Sequence, residues 1–153
     1  MSYIKIINAL KDTLTATDQL PLCRTVTEGD LYEIDLKKQT IFPLTHIVVN
    51  SATFENQIVR FNISLISMDI VDISKLEATD QFTGNDNEQY VLNNMLALQS
   101  RIHQLLLHGS LSDEGYEVDG FPSSEPFRER HENNLAGWTL TFDVIMDANM
   151  SIC

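Results

Sequence analysis

The residues with the widest chemical scope in this chain are four histidines and two cysteines. A zinc pair on a helix needs two histidines four apart, so that both rings face the same way. His103 and His108 are five apart, which turns them away from each other. His46, entering an apolar run beside Pro43, is the one histidine whose position suggests a buried hydrogen bond. Cys23 shares its half of the chain with His46, but a lone cysteine and a distant histidine are chance-level evidence for nucleophilic catalysis.

Oxygen ligands are concentrated in two segments, Asp80 to Asp86 and Asp113 to Gly120. Neither has the calcium-loop pattern of ligands at alternate positions, then a glycine, then a bidentate glutamate. Solvated acidic loops are the simpler reading. The chain has no glycine-rich phosphate loop and no serine in a nucleophile elbow. The expectation is therefore a protein with no catalytic residue, no metal and no cofactor.

The 153 residues carry 22 acidic and 10 basic side chains, a formal net charge of -12. Binding to a phosphate backbone draws on clustered Lys and Arg to release counterions. Only Lys37-Lys38 and Arg128-Glu129-Arg130 come near such a cluster, so specific nucleic-acid binding is not expected. The acidity suits solubility, or a surface past which DNA slides without sticking. Cys23 and the terminal Cys153 form no disulfide framework, which fits a reducing cytoplasm. No signal sequence and no membrane span are read. One domain over residues 1–153 is expected.

The elements that would position any site come from periodicity. Tyr3, Ile6, Ile7, Leu10 and Leu14 recur at helical spacing and predict a helix over about 2–16. Val26 and Leu31 to Ile34 suggest short strands separated by a turn at Glu28-Gly29-Asp30. Phe42 to Val49 starts a clearer β region, with Asn50 to Asn56 read as a polar connection. Then comes a long strand in which Val59, Phe61, Ile63 and Leu65 alternate with polar residues. After Leu65 the apolar parity changes to Ile66, Met68 and Ile70, which implies either a bulge or an end covered on both faces.

Asp72 to Asp86 is read as a polar loop, with Asp86 as N-cap and Gln89 completing a variant capping box. The helix that follows extends to about His108, with Val91, Met95, Leu98, Ile102 and Leu105 on one stripe and Gly109 as its stop. Ser110 to Ser124 reads as loop. Pro126 to Asn134 then leads into Trp138 to Val144, whose strict alternation marks the last strand of a closing hairpin. Trp138 shares the parity of Leu140, Phe142, Val144 and Met146, so it belongs to the core and its indole N–H needs an acceptor. This order predicts an α+β fold: a mainly antiparallel β-sheet with two principal α-helices packed on one face.

The runs Ile41 to Asn50 and Phe61 to Asp72, the helix Asn87 to Leu107, and the ending Phe127-Arg128-Glu129-Arg130 with Asn133 to Trp138 resemble tailed-bacteriophage tail proteins. In size and element order the chain is most similar to the tail terminator, or tail completion, family. The resemblance covers most of the chain and rests on pattern, with no invariant chemical signature. It implies a tail-terminator-like fold and a homohexameric ring of this chain at the tail-neck junction of the virion, made in the host bacterial cytoplasm. Such a ring caps the tail tube protein, stops its polymerisation and offers a surface to the neck or connector protein. DNA would pass through without being specifically bound.

On that implication, Arg128, Glu129, Arg130, His131 and Glu132 are candidate intersubunit contacts. Asp80, Phe82, Asn85 and Asp86 are candidate tube or connector contacts, and Asp113, Glu114, Glu117 and Asp119 a candidate lumenal acidic loop. The alternatives are a neck or head-closure protein, a tail-tube or baseplate subunit, or the cap of a contractile injection system. A small metal-dependent enzyme is the remote one.

Overall fold

The computed structural model describes residues 3–15, 23–29, 42–71, 88–108, 115–130 and 135–147. Its elements are α1 (Tyr3–Leu14), β1 (Thr25–Glu28), β2 (Leu44–Glu55), β3 (Ile58–Ile70), α2 (Glu88–His108), β4 (Glu117–Arg130) and β5 (Leu135–Asp147). The strands form one sheet in the order β1-β2-β3-β5-β4. From β2 to β4 every pairing is antiparallel, but β1 runs parallel to β2. The fold is α+β with a mixed sheet, where a mainly antiparallel one was expected.

One core fills the space between the helices and one face of this sheet. Ile6, Leu10 and Leu14 from α1 meet Val91, Met95, Leu98 and Ile102 from α2, together with Phe61, Ile63, Leu65, Leu140, Phe142 and Val144 from β3 and β5. The helical spacing in α1 and α2 and the alternation in the strands make those faces continuous, and their burial supplies the main driving force for folding. Among the described residues no helix is long and apolar enough to cross a membrane.

The opposite face of the sheet has its own smaller cluster, made of Phe42, Leu44, Met68, Phe127 and Leu135 with Ile66 and Ile70 against it. This resolves the parity change on β3. The β3–β5 register is unbroken from Ile58↔Asp147 to Ile70↔Leu135, so β3 carries no bulge on that side and is apolar on both faces at its end. The irregularity lies on β2, between Val49 and Ser51.

Two segments read as irregular are strand. Asn50 to Glu55 continues β2 and pairs with β3, and the connection shrinks to a turn at Asn56 and Gln57, where Gln57 takes a φ of 66°. Glu117 to Ser124 is the first half of β4, not loop. There the sheet edge absorbs Gly120 and Pro122 through a register shift between Asp119 and Ser123, as edge strands tolerate proline and bulges. The strands suggested at Leu31 to Ile34, the N-cap at Asp86 and the stop at Gly109 lie outside the described residues.

Candidate functional site

The hairpin of β2 and β3 extends past the helices. Every residue from Asn50 to Gln57 is exposed, and β1 pairs with β2 only as far as Ile47. Backbone pairing of β3 with β2 and with β5 runs out to Ile58, and polar side chains on the sheet face away from the helices add to the order of this arm. Asn50 donates through Nδ2 to Asn62 Oδ1 at 2.9 Å and to Ser64 Oγ at 2.7 Å. Asn62 in turn donates to Asp143 Oδ1 at 2.8 Å, and the Ser64 and Thr141 hydroxyls share a hydrogen bond at 3.2 Å. These rows run across β2, β3 and β5, as directly opposed cross-strand pairs do.

Arg60 is the hub beside them. Its Nε donates to Glu55 Oε1 at 3.0 Å, its guanidinium also engages Asp119 on β4, and Asp143 lies 3.6 Å away. The hydrogen bonds it donates to Glu55 and Asp119 hold the guanidinium protonated well above its ordinary range. The cluster is solvent-accessible, so its consequence is order and orientation in the arm more than stability. Because these three carboxylates face one arginine, the arrangement is an ion-pair network. Among the described residues no group of three or more His, Cys, Asp or Glu could hold a metal ion.

Aromatic surface accompanies the polar rows. Phe54 on the arm is 77% exposed and Phe121, in the β4 bulge, is fully exposed. On α2, Tyr90, Leu96 and Leu107 are exposed as well. A cavity of about 350 Å³ lies where Leu106 and Leu107 of α2 approach Gly115 to Val118. Its lining pairs apolar side chains with Glu117 and offers no nucleophile beside a base.

The residues first singled out for chemistry are separated. His46 is fully buried, with Nε2 2.9 Å from the Gly29 carbonyl oxygen and Nδ1 2.7 Å from Thr27 Oγ1. The carbonyl can only accept, so Nε2 carries the proton there, and in the neutral ring Thr27 donates to Nδ1. The buried hydrogen bond expected of His46 is present, and it fastens β1 and the turn after it to β2. Cys23 belongs to the helix-side core, its Sγ 3.5 Å from Thr45 Oγ1. Thr45 and His46 are adjacent on β2 and point to opposite faces, so Cys23 and His46 do not form a pair. Burial pushes the Cys23 thiol pKa up, away from a reactive thiolate.

No protein-family model matches this chain, and no curated protein does. The site therefore has to be read from its own geometry.

Of the candidate contact residues, Arg128, Glu129 and Arg130 occupy the end of β4, and Arg130 pairs with Leu135. His131 and Glu132 lie outside the described residues, as do Asp80, Phe82, Asn85, Asp86, Asp113 and Glu114. Glu117 and Asp119 are exposed on β4, on a strand where an acidic loop was expected. Asp119 is also not a free acid, since Arg60 holds it. Sequence reasoning missed Arg60 as a hub and Gln99 as a buried anchor. Alternation does place Arg60, Asn62 and Ser64 on one face of β3, but their partners come from three other strands.

Proposed function

We propose that this chain is a structural ring subunit, and that the ring is a tail terminator: it caps a phage tail tube, stops its polymerisation and presents a joining surface to the neck. The observation that carries the proposal is the exposed, internally fastened β2–β3 arm with Phe54 near its tip. Much of the terminator resemblance, within Ile41 to Asn50 and Phe61 to Asp72, falls on the parts of β2 and β3 that lead into and out of that arm. A rigid arm with an exposed aromatic side chain is suited to holding a neighbouring molecule, because little ordering remains to be done on contact. Head-to-tail contacts of this kind close into a ring when the rotation between copies is a whole fraction of a turn.

On this reading the mechanism is geometric. One ring adds to the tube end, and its exposed face no longer matches the next tube subunit. Arg128 to Glu132 and Asp80 to Asp86 are proposed as contacts, and the acidic surface near Asp113 to Asp119 as facing the tube or the lumen. Electron microscopy of the purified protein, alone and mixed with tail tubes, tests it. Rings seated on tube ends are expected; a monomer that ignores tubes overturns the proposal, and rings that add to a neck complex instead reassign it there.

A further inference from the structure

We infer that copies of this chain associate head to tail, with the β2–β3 arm of one copy seated on the outer face of α2 of the next. The inference rests on the ring reading above and makes it specific. Charge is the first argument. With 22 acidic against 10 basic residues, most approaches of two copies bring acid against acid. The outer face of α2 is different: among its exposed, described side chains Arg101 is the only charged one, and Tyr90 and Leu96 are 72% and 42% exposed. The arm matches it. From Asn50 to Gln57 the only charged residue is Glu55, whose carboxylate is engaged by Arg60. Interface centres are depleted in charge and enriched in aromatic side chains, and these two exposed surfaces meet both criteria.

Geometry is the second argument. Phe54 pairs with Val59, which belongs to the helix-side core, so Phe54 points to the side of the sheet where the helices lie. It is nevertheless 77% exposed, because its own helices do not reach it. A helix from a second copy would complete that layer. The arm and α2 are different surfaces, so the contact is heterologous and leaves each copy with one of each to offer.

Two charge-introducing variants on exposed positions, Phe54→Asp on the arm and Ala97→Glu on α2, test the contact. Glutamate is a good helix former, so the second preserves α2. In sedimentation velocity the wild-type protein is expected to associate and each variant alone to be monomeric, its association weakened about a hundredfold. An equal mixture of the two variants is expected to form a heterodimer, because F54D retains an intact α2 face and A97E an intact arm. Lys5→Glu on α1 should associate like wild type. Variants that assemble as wild type does, a mixture that stays monomeric, or a monomeric wild type each overturn the inference. Microscopy of the same samples with tail tubes separates the two ideas. Association through this contact without tube capping leaves the inference standing and overturns the terminator reading; capping rings formed equally by F54D and A97E do the reverse.

Discussion

Gly137 on β5 runs so close to Ser67 on β3 that a Cβ at residue 137 would overlap the Ser67 carbonyl oxygen. The obstacle is main chain, which no rotamer change relieves. Around this crossing the two strands are also tied to α2. Gln99 donates through Nε2 to the carbonyl oxygens of Leu65 at 3.0 Å and Trp138 at 2.6 Å, while Ser124 donates to its Oε1. Trp138 donates its indole N–H to Leu92 O at 2.8 Å. Helix and sheet are thus joined by polar anchors inside an apolar layer.

Gly137→Ala is expected to lose about 3 kcal/mol or more, because β3 and β5 would have to separate. Gly120→Ala is its control: it has open space around its Cβ but a φ of +73°, so the expected loss is the left-handed backbone cost of about 1 kcal/mol. Urea unfolding of both variants checks this, and equal losses would refute the close-approach account.

Gln99 is 2% exposed. Replacing it by Leu leaves two buried carbonyl oxygens without their donor, a loss of about 2 to 3 kcal/mol. Gln99→Glu adds a pH signature. A carboxylate beside two carbonyl oxygens is held protonated in the folded state, so its folded pKa lies above the unfolded value of about 4.3. Its contribution is retained below that unfolded value and lost as pH rises through the folded one. Thermal melts from pH 4 to pH 8 should show the gap between wild type and Q99E widening with pH; a constant gap would count against the buried-anchor role.

Asp69 lies at the end of β3, where burial raises its pKa and the hydrogen bond from Ile70 N at 2.8 Å only partly opposes this. A carboxylate with a raised folded pKa contributes stability that is intact below the unfolded pKa and lost as pH rises through the folded pKa. Asp69→Asn keeps an acceptor for Ile70 and removes the titration. It should match wild type at about pH 3 and melt higher at pH 7, as calorimetry at the two pH values would show.

Trp138 is the only tryptophan in the chain. Trp138→Phe keeps an aromatic ring against the core but removes the donor to Leu92 O, for an expected loss of about 1 kcal/mol plus the cost of the smaller ring. In the wild type, the same indole should report helix docking: blue-shifted emission when α2 is seated, shifting red in step with loss of α2 helicity during unfolding. Emission that shifts red while the helix signal is intact would refute the proposed link between indole and helix.

Periodicity along the chain is enough to place the two helices, the alternating half of β3, β5 and the parity of Trp138. These segments bury one side, and burial leaves a period that can be read along the chain. The sequence also singles out His46 as the histidine placed for a buried hydrogen bond. Asn50 to Glu55 and Glu117 to Ser124 left no such trace, because they are held by backbone bonds to a neighbouring strand while most of their side chains stay in water. Gln99, the parallel docking of β1 and the gathering of Glu55, Asp119 and Asp143 around Arg60 are settled by register. Which strand lies beside which is a property of the folded sheet, and residues far apart in the chain meet only once it has formed.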